Sequence, residues 1–134
     1  MDANTFRDFC LSLPGAYDAT PFTSGKSDTY EDIVVFYVAS KWFGFVDMQK
    51  FEFCNLKSPP ADTEHLTQTY AGIKPGWHMN KRHWISVYFY SDISDEMIFE
   101  LVRKAYDTVV AKLPKRERDK LGQLSKNNFE TIEQ

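Results

Sequence analysis

Long apolar runs are missing from this 134-residue sequence. None approaches the roughly 20 residues that a membrane-spanning helix requires, so no membrane segment is expected. Cysteine is scarce, with only Cys10 and Cys54, and no Cys pair has the spacing of a zinc site. Histidine is limited to His65, His78 and His83. The last two are five residues apart, not the i, i+4 that places two ligands on one helical face. No metal centre and no cofactor is expected. A phosphate-cradling glycine loop is also lacking: Gly72 and Gly76 flank Pro75 and lead into a strand, not a helix. There is no nucleophile-elbow motif, Cys10 falls on the core face of a predicted helix, and the acids of the first half show no acid–base pairing. No catalytic residue is therefore expected, and the chain reads as non-enzymatic.

What is present is aromatic mass. Phe, Tyr and Trp make up 16% of the residues and apolar residues 43%, enough for a core rich in large rings. The length suits a single domain. Net charge is -3, unevenly spread: residues 1–66 carry an excess of acids, residues 67–134 an excess of bases. Local sign matters more than the total for contact with phosphates. Asp2 and Asp8 surround one Arg where a signal peptide would be basic and then apolar. Cys10 and Cys54 lie in patterned segments and read as buried free thiols, with a disulfide as the alternative. A cytoplasmic location is the expectation.

Phe6, Phe9, Cys10 and Leu13 share one helical face, which predicts a helix over 3–13, with Asp2 or Asn4 as its cap and Pro14–Gly15 as its stop. A turn-rich connection follows, with Pro21–Phe22 as an apolar anchor and a mobile stretch from Gly25 to Asp28. Ile33 to Val38 and Trp42 to Val46 predict two strands, and Gly44 within the second suggests a bulge or close backbone approach. Phe51 to Leu56 alternates, which predicts Phe51 and Phe53 on one face and Glu52 and Cys54 on the other. The short connections force an antiparallel meander. Pro59–Pro60 opens a short helix to about residue 69. Gly72, Pro75 and Gly76 are expected to end regular structure until a strand from Trp84 to Tyr90. Ser94 caps a helix whose stripe is Ile98, Leu101, Val102, Ala105 and Val109, ended by Pro114. The fold class is α+β, an antiparallel sheet of about four or five strands with helices packed on it. Residues 1–115 form the predicted domain, and 116–134 a charged extension, loosely packed or partly disordered.

One stretch stands apart. Tyr70 to Trp84 reads Tyr-Ala-Gly-Ile-Lys-Pro-Gly-Trp-His-Met-Asn-Lys-Arg-His-Trp and contains no carboxylate. With Cys10-Leu-Ser-Leu-Pro-Gly-Ala16, Thr20-Pro-Phe22, Lys41-Trp-Phe43, Leu56–Lys57, Ala105–Tyr106–Asp107 and Val109-Val-Ala-Lys-Leu-Pro114, it resembles the MmcQ/YjbR family over about residues 4 to 115. Departures are Trp77, where that family more often has Tyr, Ile85–Ser86 in place of Asn–Thr, and Ser58 in place of Cys. The resemblance implies a CyaY-like, double-wing type of α+β fold and membership of a group described as DNA-binding, which is an analogy of fold.

Within the stretch, Tyr70, Gly72, Pro75, Gly76, Trp77 and Trp84 are expected to shape and anchor a loop. Lys74, His78, Asn80, Lys81 and Arg82 are the candidate nucleic-acid contacts, extended by Lys112 and Lys115. Two readings follow. In one, the protein binds DNA through this basic, aromatic loop. In the other, it is a non-enzymatic module for a protein or small ligand, with the same loop lining an aromatic groove. Convergence of Lys74, Lys81 and Arg82 with Lys112 would favour the first, and a concave aromatic hollow the second.

Overall fold

Periodicity places the elements, and the turn residues between them fix their order. The computed structural model describes residues 1–21 and 32–133, with side chains described as far as Leu124. The predicted anchor at Phe22 and the stretch from Gly25 to Asp28 lie outside the described residues. Among the described residues four helices, α1 (Ala3–Ser12), α2 (Pro60–Thr69), α3 (Asp95–Val110) and α4 (Lys115–Glu133), accompany six strands. These are β1 (Tyr17–Ala19), β2 (Ile33–Val38), β3 (Lys41–Asp47), β4 (Phe53–Lys57), β5 (Ile73–Pro75) and β6 (Trp84–Tyr88). They form one sheet in the order β1-β2-β3-β4-β6-β5, every neighbouring pair antiparallel. The architecture is α+β.

The caps explain where the helices start. The Asp2 carboxylate accepts from the Thr5 N–H at 2.7 Å, and the Ser94 hydroxyl accepts from the Met97 N–H at 3.2 Å. On the helix-covered face, α1 and α3 pack their apolar stripes against Val34, Phe36, Val38, Phe43, Cys54, Leu56, Ile85 and Val87. Phe6 is the hub of this core, edge-on to Phe36, Phe51 and Phe89. Cys10 and Cys54 are both buried and free. Gly15, at φ 73, turns the chain after α1 in a left-handed conformation, and a Cβ there would lie 2.5 Å from Leu121 of α4.

Three expectations need correction. Among the described residues the sheet has six strands, not about four or five, because the three-residue strands β1 and β5 extend its two edges. Ile73–Pro75 is thus strand where the sequence predicts an end to regular structure. Nor does the third predicted strand begin at Phe51. Asp47 accepts from the Gln49 and Lys50 N–H groups in a turn, and Phe51 adopts φ 46. That turn sends the Phe51 ring into the core, stacked on Phe89 at 3.9 Å, while Phe53 faces the opposite side of the sheet.

The second face carries no packed helix among the described residues. Its apolar cluster is Ile33, Val35, Phe45 and Trp84, joined by Tyr37, Trp42 and Met79. A register shift at Phe36/Tyr37, opposite Trp42 to Gly44, accounts for the pattern on β3. Strict alternation would put Trp42 and Phe45 on opposite faces. The bulge puts both on the open face and leaves Phe43 and Val46 in the main core.

Candidate functional site

The loop joining β5 to β6 folds back over the open face. Gly76 makes the turn: its N–H donates to the Trp84 carbonyl at 2.9 Å, and a Cβ there would lie 2.5 Å from the Trp84 Cβ. Only glycine allows the two backbones this close. The next residue is held by a closed polar ring. The Trp77 N–H donates to Ser86 Oγ at 2.9 Å, the Ser86 hydroxyl donates to Asn55 Oδ1, and Asn55 Nδ2 donates to the Trp77 carbonyl at 3.1 Å. Asn55 and Ser86 are neighbours across the β4–β6 register and are 0% and 1% exposed. Two buried polar side chains in apolar strands thus satisfy each other and the crossing main chain. Neither was a candidate from sequence, although a polar residue interrupting each apolar strand was a visible signal.

The other expected anchors divide by role. Tyr70 caps α2, its N–H donating to the Leu66 carbonyl at 3.0 Å. Gly72 is buried, and its N–H and that of Ala71 donate to the two oxygens of Asp92 at 2.7 and 2.9 Å. Pro75 pairs with Ile85. Trp84 is buried in the open-face cluster. Trp77 is 41% exposed; its main chain is what is pinned, and its ring leans edge-on against Phe53 at 5.8 Å and His78 at 4.0 Å.

The candidate contacts do not gather into one patch: Lys74, Lys81 and Arg82 do not line the hollows of Lys112, so the convergence that would favour DNA binding through the loop is not found. Lys74 is exposed on edge strand β5 and borders a shallow hollow with Gly72, Tyr88 and Asp92. His78 is exposed in a left-handed turn at φ 57. Asn80 Oδ1 accepts from the Arg82 N–H at 2.9 Å, and the Lys81 ammonium donates to the Gly76 carbonyl, so both side chains help hold the loop. Arg82 is exposed on the same turn. Lys115 is exposed at the start of α4.

Lys112 has different company. The start of β3, the end of β4 and the start of β6 lie at one end of the sheet because these neighbouring strands are antiparallel. The C-terminal end of α3 reaches the same end. Lys41, Lys57 and Lys112 therefore line one hollow of about 330 Å³ with Trp42, Trp84, Met79 from the loop, Thr108, Val109 and Leu113. Among the described residues no carboxylate lines it. The Lys57 ammonium sits 5.2 Å from the centre of the Trp84 ring, a cation–π contact. Burial foremost, and then the like charge of Lys112, lowers the Lys57 pKa. Among the described residues none of the three lysines forms an ion pair. An adjoining hollow shares Lys57, Thr108 and Lys112 and adds His83, Asp62 and Asp107. A third, of about 320 Å³, lies on the open face between Ile33, Phe45, Phe53 and Trp77, with Asp47, Lys50 and Glu52 on its rim. No group of three or more His, Cys, Asp or Glu among the described residues is arranged to hold a metal.

An open antiparallel sheet with helices on one face, and a Gly-Trp loop strapped over the other, defines a class of small α+β domains. The chain belongs to the YjbR family, whose model matches residues 11–108. It is 27% identical to the uncharacterised protein YjbR of Escherichia coli K12 over 92% of this chain and 100% of that protein. It is 40% identical to YbdF of Escherichia coli O157:H7 over 56% of this chain, a match spanning 62% of that relative's length. Among solved structures, the DUF419 protein DR2400 of Deinococcus radiodurans superposes with a TM-score of 0.77 at 31% identity, covering 90% of this chain and 88% of that one. A Pseudomonas syringae protein shares the fold at a TM-score of 0.64 and 22% identity, over 81% of this chain and 98% of its own.

Proposed function

We propose that the protein is a nucleic-acid-binding module of modest affinity. The observation that carries this reading is the placement of Lys41, Lys57 and Lys112 in one hollow with Trp42 and Trp84, lined by no carboxylate among the described residues. Amines supply charge for phosphates, and an indole offers a face for a base or sugar. Arg82, exposed on the loop turn that also carries Met79, extends the positive surface beyond the hollow. The contact surface therefore shifts from the loop itself toward the end of the sheet. DNA is the partner that the sequence resemblance suggests, and the exposed geometry suits a strand whose bases are accessible. The reading places the protein in a bacterial cytoplasm, where nucleic acid is present and free thiols persist. No helix among the described residues is long and apolar enough to cross a membrane.

The test is binding of labelled single-stranded and duplex DNA across a salt series. The expected result is affinity that falls steeply with salt and drops in Lys112→Gln and Arg82→Ala variants. Undetectable binding, or binding indifferent to salt and to both substitutions, refutes the reading. The hollow between Phe45, Phe53 and Trp77 favours a second reading, a module for a small apolar ligand or protein side chain. A ligand that raises Tm and is displaced by Trp77→Ala, with no DNA binding, would establish it instead.

A further inference from the structure

The hollow at the end of the sheet is concave, and that restricts what can enter it. A duplex presents a convex backbone with its bases stacked inside, and only an extruded or terminal nucleotide brings a ring and a phosphate into a cleft together. The volume of about 330 Å³ lies at the lower end of the range for small-molecule sites. Its polar groups are also sorted. Lys41, Lys57 and Lys112 come from β3, β4 and α3, so an anion placed among them meets three ammonium groups held on separate rigid elements. Asp62 and Asp107 line only the adjoining hollow, so a phosphate is favoured on the Lys41 side. Trp42, Met79 and Leu113 supply the apolar lining on which a flat ring can rest.

We propose that this cleft is a binding site for a single nucleoside 5′-monophosphate unit, whether free or at the end of a single strand. The phosphate lies among Lys41, Lys57 and Lys112, and the base lies against Trp42 and Met79. This deepens the nucleic-acid reading by naming the unit recognised, and it rests on the same lysine cluster. The like charges of Lys57 and Lys112 add a reason for an anion at this place. Lys57 is partly buried beside the like charge of Lys112, and neither has a carboxylate partner among the described residues, an arrangement that a bound dianion relieves.

The experiment titrates the full chain with adenosine and uridine 5′-monophosphates and, separately, with inorganic phosphate, following tryptophan fluorescence and Tm. A short labelled single strand serves as competitor. The inference expects the monophosphates to bind, to displace the strand, and to bind more tightly than inorganic phosphate. Lys112→Gln and Lys41→Gln should each weaken them about tenfold, as loss of one charge-assisted contact requires. Lys120→Gln, a variant at an exposed residue paired with Glu117 on α4, should leave them unchanged. Strand binding that weakens in Lys112→Gln while the monophosphates neither bind nor compete overturns the inference and leaves the nucleic-acid reading intact. Monophosphate binding without strand binding at any salt supports the inference and overturns that reading. Inorganic phosphate binding as tightly as the monophosphates also overturns it, because the ring then contributes nothing.

Discussion

Replacing Ser86 with Ala tests how the loop is held. The hydroxyl of Ser86 accepts from the Trp77 N–H at 2.9 Å and donates to Asn55 Oδ1. Alanine leaves one donor and one acceptor without partners. Asn55 is fully buried, so its Oδ1 bears close to a full desolvation penalty. Trp77 is 41% exposed, and water can reach its main chain once the loop loosens. An unsatisfied buried polar group costs about 1–3 kcal/mol, which puts the combined loss at about 2–4 kcal/mol, the exposed member contributing less. For a domain of this size the corresponding fall in Tm is about 8–16 °C. Urea and thermal unfolding followed by circular dichroism would measure it. Asn55→Ala should cost a similar amount, and the double variant less than the sum of the two, because both act on one ring of hydrogen bonds. A Ser86→Ala loss below about 0.5 kcal/mol, or strict additivity with Asn55→Ala, would refute the claim that this ring pins the loop.

Other expectations follow from the same structure. Gly76→Ala should destabilise the protein and release the loop, since its Cβ would lie 2.5 Å from that of Trp84; hydrogen exchange should rise over residues 77–83. Burial raises the pKa of both thiols, so Cys10 and Cys54 should resist a thiol reagent in the native state and react only in denaturant. Rapid native labelling would contradict their place in the core. The Lys57 pKa is lowered in the folded state, so its positive charge opposes folding below that pKa. This opposition fades as pH rises through the folded value toward the unfolded one. Lys57→Met should therefore raise the Tm of the unliganded protein at neutral pH and flatten its rise with pH in the alkaline range, while weakening anion binding. A lower Tm in that variant would show that the Trp84 contact outweighs desolvation.

Much of the fold was legible in local pattern. The stripes of α1 and α3, the caps at Asp2 and Ser94, and the alternation of β6 all depend on residues close in sequence. The edge strands β1 and β5 were not legible, because three residues carry too little periodicity and their pairing is set by β2 and β6. The path of Phe51 depended on a left-handed turn residue that no composition rule marks. Gly44 did signal the irregularity opposite Phe36/Tyr37. The loop from Tyr70 to Trp84 was legible as a special segment, and its glycines were legible as shape-makers. The cleft was legible only in fragments. Lys41-Trp-Phe43 and Leu56–Lys57 stood out as motifs, yet their convergence with Lys112 requires the strand order and the packing of α3. Lys81 and Asn80 illustrate the converse: their types suit ligand contact, but the structure uses both inside the loop.

The central claim is that the end of the sheet bearing Lys41, Lys57 and Lys112 is a nucleic-acid contact surface. The salt dependence of single-strand affinity in wild-type and Lys112→Gln protein measures it most directly. Three phosphate contacts predict a log–log slope of about -2, and removal of one should reduce its magnitude by about 0.7. A flat wild-type response, or a slope that Lys112→Gln leaves unchanged, would contradict the account.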